Sequence, residues 1–457
     1  MSGALSDISI SCFKAYDVRG RVPDQLNESI AYRIGRAYAQ VIQPSTVAVG
    51  FDIRLTSEAL CDQLSNGLRD EGVDVINIGC CGTEEIYFAT AHLKVDGGIV
   101  VTASHNPKDY NGMKMVREES KPIHADNGLM DIRRVAESAL PTPLQARGIL
   151  TEQCTRSAYI EHLMSYLAVD QLTPLKLVAN PGNGGAGLVL KDLLPLLPFE
   201  VTLLQETPDG HFPNGVPNPL LEENREVTRN AVIEQKADFG MAWDGDFDRC
   251  FFFDETGRFI EGYYLVGLFS EFFLKRNAGE VVVHDPRLYW NTQCIAEQYG
   301  TRALKSKTGH AYMKGIMREH DAVYGGEMSA HHYFRDFSYC DSGMIPWLIV
   351  AQMISQTGIP LSQMVDQKMQ DFPVSGEINF TLNDADAALD AVEAHFLKDV
   401  PLSVDKTDGV SLDFADWRFN LRKSNTEPLV RLNVETRGDQ ALMEEKRDAI
   451  LELLAQY

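Results

Sequence analysis

Thr46-Val-Ala-Val-Gly-Phe-Asp52, Val73-Asp-Val-Ile-Asn-Ile-Gly79 and Gly98-Ile-Val-Val-Thr102 decide the fold. Each is a short β-rich run, and the stretches between them read as helices. One helix is capped by Thr56 or Ser57 and runs through Leu68; the next spans about Glu84 to His92. Strands separated by helices imply a parallel sheet with right-handed crossovers. Ligands on such sheets sit beyond the carboxyl ends of the strands, so the loops after apolar strands are where chemistry belongs.

The alternation continues outward. Pro141-Thr-Pro143 reads as a linker. A second series follows with Leu175–Ala179, a glycine loop, a helix through Leu197, Phe199–Leu204, and the strand Phe239–Trp243. A third opens with a hairpin-like Cys250–Tyr264 and continues through Glu280–His284, Thr301–Leu304 and Ala322–Gly325. From about Phe372 the pattern changes to alternating strands, Trp417–Leu421 and Leu429–Glu435, with turns such as Thr407-Asp-Gly409 and a closing helix from Gln440. The expected fold class is α/β: three similar domains with mixed or parallel sheets, plus a C-terminal α+β domain. The boundaries fall at 1–145, 146–255, 256–370 and 371–457. An acid, an apolar strand and a polar loop recur with one spacing, Asp96 to Ser104, Asp238 to Asp246 and Asp321 to Ser329, suggesting a structural repeat.

The 457 residues, 44% apolar and 23% charged, provide ample length for several packed cores. Forty-two Lys and Arg against sixty-five Asp and Glu leave a net charge of −23. Such a surface repels nucleic acids and anionic membranes, so neither is an expected partner. An anionic substrate needs a concentrated basic pocket. Eight scattered cysteines without a C-x-x-C pair read as reduced thiols. The first residues lack the basic and apolar regions of a secretory signal. Tyr263–Leu274 and Met344–Ile354 are too short to span a bilayer. The expected location is cytoplasmic.

Four loops carry chemistry. Thr102-Ala-Ser104-His-Asn-Pro107 presents a serine at a strand's carboxyl end, with Pro107 fixing the loop. His105 is adjacent, but neighbours in an extended chain point opposite ways, and no Gly-x-Ser-x-Gly elbow is present. Asp244-Gly-Asp246-Phe-Asp248-Arg249 places three acids on one face of an extended segment. Their mutual repulsion is relieved by Mg²⁺, to which they supply three oxygen ligands. An EF-hand loop needs glycine where Arg249 stands. Gly325-Gly-Glu327-Met-Ser329-Ala-His331-His332 offers groups suited to sugar hydroxyls or proton transfer. Arg422-Lys-Ser424-Asn-Thr426-Glu-Pro428 concentrates cations, hydroxyls and an amide suited to a phosphate dianion. Gly182-Asn-Gly184-Gly-Ala-Gly187, with Glu206 beyond it, leaves a nicotinamide-dependent oxidoreductase as the reading from a different enzyme class.

Together these motifs, with Ala15-Tyr-Asp-Val-Arg19-Gly, resemble the α-D-phosphohexomutase family in order and spacing across essentially the whole chain. Stretches such as Gly325–Gly343 resemble its bacterial phosphomannomutase branch, which feeds GDP-mannose synthesis. The resemblance implies four domains around a central cleft and a reversible interconversion of mannose 6-phosphate and mannose 1-phosphate. A hexose 1,6-bisphosphate is then intermediate and activator. The alternatives within the family are a dual-specificity phosphoglucomutase/phosphomannomutase and a phosphoglucosamine mutase. By this resemblance Ser104 is the phosphoserine, and Asp244, Asp246 and Asp248 hold Mg²⁺ together with a phosphoryl oxygen on Ser104. Arg249 lies beside the metal. Glu327 and Ser329 bind sugar hydroxyls, and Arg422, Ser424, Asn425 and Thr426 grip the phosphate that is not reacting. Arg19, Lys114, His310 and His331 lie near the transferring group, with His331 the expected general base and His310 the second choice. Ala330 stands where many members have Gly, and Arg287, a sugar-side contact, where some have Lys. The expected partner is a small-molecule hexose phosphate, bound by a monomer or weak homodimer.

Overall fold

The computed structural model describes residues 6–277, 279–382, 384–423 and 429–457. The chain divides into two compact units, residues 1–259 with 331–361, and residues 260–330 with 362–457.

In the first unit, β1 (Val18–Arg21), β2 (Thr46–Phe51), β3 (Asp74–Cys80), β4 (Gly97–Val101), β5 (Tyr110–Arg117) and β6 (Leu150–Glu152) form one sheet in the order β1-β5-β4-β2-β3-β6. β4, β2, β3 and β6 are parallel, as the alternation of strands and helices predicts, while β5 runs antiparallel to both β4 and β1. β4 is buried along its whole length, as its unbroken apolar run requires. The helix Glu28–Ile42 begins where the Asn27 side chain accepts from the Ile30 N–H, and ends at Gln43 in the left-handed region. Its buried face, including Ala31, Ile34, Ala37 and Tyr38, packs into the first core beside Leu60, Leu64 and Leu68.

The same unit continues with β7 (Lys176–Asn180), β8 (Glu200–Leu203), β9 (Phe239–Trp243), β10 (Cys250–Asp254) and the short β11 (Phe259–Ile260), ordered β11-β10-β9-β7-β8. Here the sequence reading needs correction. The hairpin expected to open the third series pairs antiparallel with β9 and so closes the second sheet. Tyr263 and Tyr264 belong to the helix Gly262–Arg276, because their run of large apolar residues buries several sides of a helix.

In the second unit β12 (Val282–His284) lies between β13 (Ala303–Lys305) and β14 (Tyr324–Gly326), all parallel. The proposed repeat is visible in the strand orders. β4-β2-β3, β9-β7-β8 and β14-β12-β13 each place the third strand beside the first and the second on its far side. The recurring acids have a structural task. Asp96 accepts from the Ser45 and Thr46 N–H groups at the start of β2, and Asp238 from Lys176 at the start of β7.

The chain then returns to the first unit with the hairpin β15 (His332–Phe334) and β16 (Cys340–Asp341), followed by the buried helix Met344–Thr357. Glu84 closes that helix's start. It accepts from the Gly343 and Met344 N–H groups at 2.6 and 3.4 Å and from the Tyr159 hydroxyl. Burial pushes its carboxyl up to about 8.

The second unit ends in β17 (Ile378–Thr381), β18 (Ser403–Asp405), β19 (Val410–Asp413), β20 (Trp417–Lys423) and β21 (Leu429–Thr436), an antiparallel sheet ordered β17-β21-β20-β19-β18. The helices Ala385–Phe396 and Gln440–Leu454 cover it through a core that includes Val392, Phe419, Leu432 and Ile450. This is the α+β arrangement that the alternating strands predict. All eight cysteines are free thiols; Cys154 is exposed, and Cys12, Cys61, Cys81, Cys250 and Cys340 are buried. Among the described residues no single helix is long and apolar enough to cross a membrane.

Candidate active site

The loops after β4 and β9 meet in the first unit. Ser104 takes a left-handed backbone, φ 48°, and its N–H donates to Thr102 Oγ1 at 3.0 Å. Its hydroxyl donates to Asp244 Oδ2 at 2.8 Å. The left-handed turn also overturns the expectation for His105. The two neighbours do not diverge as they would in extended chain, and Ser104 Oγ lies 3.1 Å from His105 Nδ1. Arg249 Nη2 stands 2.6 Å from that same nitrogen. A guanidinium only donates, so Nδ1 accepts and the ring is neutral. Loss of hydration around the ring nitrogens, then the nearby Arg249 and Arg19 charges, lowers the His105 pKa, although the residue as a whole stays exposed.

Asp244, Asp246 and Asp248 are all buried. Arg249 donates to Asp244 through Nε at 2.8 Å and Nη2 at 2.7 Å. Thr83 Oγ1 donates to Asp246 at 2.5 Å, while Lys114 Nζ donates to Asp246 at 2.8 Å and also to Asp248. Burial pushes the Asp246 carboxyl up, but Lys114 and Arg19 outweigh it and hold the group below the ordinary range. Asp248 is shifted upward, by burial and then by the charge of Asp246. Phe247, left-handed at φ 48° and fully buried, wedges the loop in place. Its ring fills the space where Gly82 and Gly185 lack side chains, and a Cβ on Gly82 would overlap it.

One oxygen from each carboxylate of this triplet lies within 4.8 Å of the others. Asp246 Oδ1 and Asp248 Oδ1 are buried and accept no hydrogen bond among the described residues. A buried anionic oxygen without a donor is costly, and two of them within a triplet of clustered carboxylates suit a hard divalent cation. The residues present therefore fit a metal ion.

Arg19 holds the end of the serine strand, donating Nη1 to the Thr102 carbonyl at 2.9 Å and Nε to Asp17 at 2.9 Å. His331 closes another side of the triplet. Its Nδ1 lies 3.9 Å from Asp248 and 2.9 Å from Asp341 Oδ2. Asp341, Thr83 and His105 join this cluster without being marked by any of the sequence motifs as site residues. Thr83 and Asp341 stand far from the triplet in sequence and carry no local signal.

The second unit gathers other predicted residues. Glu327 Oε1 accepts from the Gly309 N–H at 2.9 Å, at the start of the helix that His310 opens. Asp285 accepts from Arg287 through Nε at 3.2 Å and Nη2 at 2.9 Å, and from the Met328 N–H at 2.7 Å. Arg287 also lies 3.4 Å from Ser329 Oγ and donates to Glu377 at 3.0 Å. Arg422 and Arg431 face Glu377 at 3.5 Å each. Burial alone would raise the Glu377 carboxyl, but these three guanidinium groups hold it down to about 2. Asp285 and Glu377 are further residues that spacing did not reveal. Ser424, Asn425 and Thr426 lie outside the described residues.

The Gly182–Gly187 loop is occupied by packing. The Gly185 N–H donates to the Gly245 carbonyl at 3.1 Å, and Gly187 abuts the backbone of Glu206. The donor a pyrophosphate would take is thus spent on the Asp244–Asp248 loop.

Family models of phosphoglucomutase/phosphomannomutase match the chain in four consecutive pieces: α/β/α domain I over residues 11–139, domain II over 157–257, domain III over 261–372 and the C-terminal domain over 377–453. The chain belongs to the phosphoglucomutase/phosphomannomutase family. A family relative named phosphomannomutase in Salmonella montevideo is 58% identical over 453 residues, covering 98% of this chain and 99% of that protein. A protein described as phosphohexose mutases in Xanthomonas campestris pv. campestris is 57% identical over 447 residues, with 98% and 100% covered. The crystal structure of a phosphoglucomutase/phosphomannomutase family protein from Burkholderia thailandensis superposes with a TM-score of 0.87 at 31% identity, covering 98% of each chain.

Proposed function

We propose that this chain is a phosphomannomutase that interconverts mannose 6-phosphate and mannose 1-phosphate, supplying the hexose 1-phosphate from which GDP-mannose is made. One observation carries the reading. The Ser104 hydroxyl rests on Asp244, inside a buried triplet of carboxylates with two oxygens lacking donors. The full-length likeness to proteins named phosphomannomutase supports the choice of sugar.

Ser104, when phosphorylated, gives its phosphoryl group to a hydroxyl of a hexose phosphate. The bond between Ser104 Oγ and phosphorus breaks, a bond from the sugar oxygen to phosphorus forms, and the hydroxyl proton passes to His331 or, as second choice, His310. The product is a hexose 1,6-bisphosphate, whose other phosphoryl group then returns to Ser104. Asp244, Asp246 and Asp248 hold Mg²⁺, which when bound offsets negative charge around the phosphoryl oxygens. Lys114, Arg19 and Arg249 add fixed positive charge around Ser104. Glu327, Ser329 and Arg287 read sugar hydroxyls, and Arg422 with Ser424, Asn425 and Thr426 holds the phosphate that is not reacting.

Ser104→Ala tests the covalent role. Conversion of mannose 1-phosphate, followed by ³¹P NMR in the presence of Mg²⁺ and catalytic bisphosphate, is expected to vanish while hexose phosphate binding persists. Turnover by the variant would overturn the proposal.

A further inference from the structure

The left-handed backbone of Ser104 is a conformation that a non-glycine residue keeps only when its surroundings hold it there. The loop supplies part of that restraint itself, through the Ser104 N–H on Thr102 Oγ1 at 3.0 Å and the Asn106 N–H on the Ala103 carbonyl at 2.9 Å. The rest comes from Arg54, two residues past the buried Asp52 that follows β2. Its guanidinium spans the underside of the loop. Nη2 donates to the carbonyls of Ser104 at 2.8 Å and Asn106 at 2.6 Å. Nη1 donates to those of Pro107 at 2.8 Å and Tyr110 at 3.0 Å. The side chain is 1% exposed, lies 3.6 Å from Asp52 through Nε, and stacks over the Phe212 ring at 5.3 Å. Asp52 is itself fixed, accepting from Ser57 Oγ at 2.5 Å and from the Arg54 N–H at 3.0 Å.

We propose that Arg54 is the positioning residue of the serine loop: by binding four carbonyls of residues 104–110 it locks Ser104 in the conformation that aims Oγ at Asp244. The inference rests on the reading of Ser104 as the phosphoryl carrier. Arg54 reaches the loop only through backbone oxygens and acts through Ser104, with no hydrogen bond to the hydroxyl itself. A planar fork of donors is required, because four carbonyls spread along a turn cannot be served by the compact ammonium of lysine. Phosphoryl transfer depends on alignment, so a loosened Oγ slows transfer without weakening the grip on the sugar phosphate.

Arg54→Lys keeps the charge and loses the fork; Arg54→Ala loses both. In each, kcat is expected to fall by about 100-fold with KM for mannose 1-phosphate within about 2-fold of the parent. Amide exchange is expected to quicken at residues 104–110 and stay unchanged in the strands Thr46–Phe51 and Phe239–Trp243. If Arg54→Ala does not fold, Arg54→Lys alone carries the test. Parental kcat with parental loop exchange in Arg54→Lys overturns the proposal. A parallel loss of kcat, KM and melting temperature, with exchange raised throughout, also overturns it, because Arg54 is then merely structural. Ser104→Ala, measured alongside, separates the two claims. Its full turnover removes the carrier reading, while the exchange data still decide whether Arg54 holds the loop.

Discussion

Asp341 lies 2.9 Å from His331 Nδ1, and both belong to the segment that follows the second unit's first stretch of chain. An ionised carboxylate only accepts, so Nδ1 keeps its proton and donates it to Asp341 as a hydrogen bond, which leaves Nε2 as the basic nitrogen of the ring. His331→Ala is therefore expected to lower kcat by about 10²- to 10⁴-fold. Asp341→Ala is expected to lower it by about 10- to 100-fold, since the ring remains but its tautomer is no longer set. The double variant should be no slower than His331→Ala alone. Additive losses in steady-state rates would show that Asp341 acts elsewhere.

Removing a donor oxygen from the triplet tests the metal reading without using activity. Asp246→Asn and Asp248→Asn each keep size while discarding charge, and each is expected to weaken Mg²⁺ or Mn²⁺ binding by more than about 10-fold. Titration calorimetry on the protein stripped by a chelator measures this. Unchanged affinity in both variants would place the ion at other residues.

Glu84 makes stability depend on pH. Its carboxyl titrates near 8 in the fold against an ordinary value of 4.5. Between those values the folded chain keeps a proton that the unfolded chain has released, so stability is full below pH 4.5 and falls as pH climbs toward 8. The fall is at most about 1.4 kcal/mol per pH unit from this group. In Glu84→Gln the contribution disappears. Urea midpoints at pH 5 and pH 8 are expected to lie closer together than in the parent, and an equal separation would contradict the assignment.

Phe247→Ala empties the space between Gly82 and Gly185. A loss of about 3–5 kcal/mol in unfolding free energy is expected, as for other buried aromatic truncations. Because the residue sits between two of the three acids, metal affinity should fall with it. A stable variant with parental metal binding would mean that the loop holds its shape without the ring.

The strand and helix alternation and the two loops after β4 and β9 were legible because each is written locally. Apolar runs mark the strands, and acids two residues apart mark the triplet. Asp341, Thr83 and Glu377 were not legible, because only tertiary structure brings them to their partners. His105 was misjudged for a local reason: its geometry depends on the left-handed turn at Ser104, which a non-glycine residue does not announce. Alternation alone places the hairpin-like Cys250–Tyr264 at the head of the third series, whereas Cys250–Asp254 pairs with β9, because pairing partners are a long-range choice.

His331 and Asp341 are encoded after residues 260–330, which belong to the other unit. As the polypeptide leaves the ribosome, the serine and the three acids emerge early, yet their histidine arrives only after an entire intervening stretch has been synthesised. A nascent chain released after residue 259 would thus carry Ser104 and the three carboxylates, but not the His331 imidazole and the Asp341 carboxylate that stand beside Asp248 in the finished first unit.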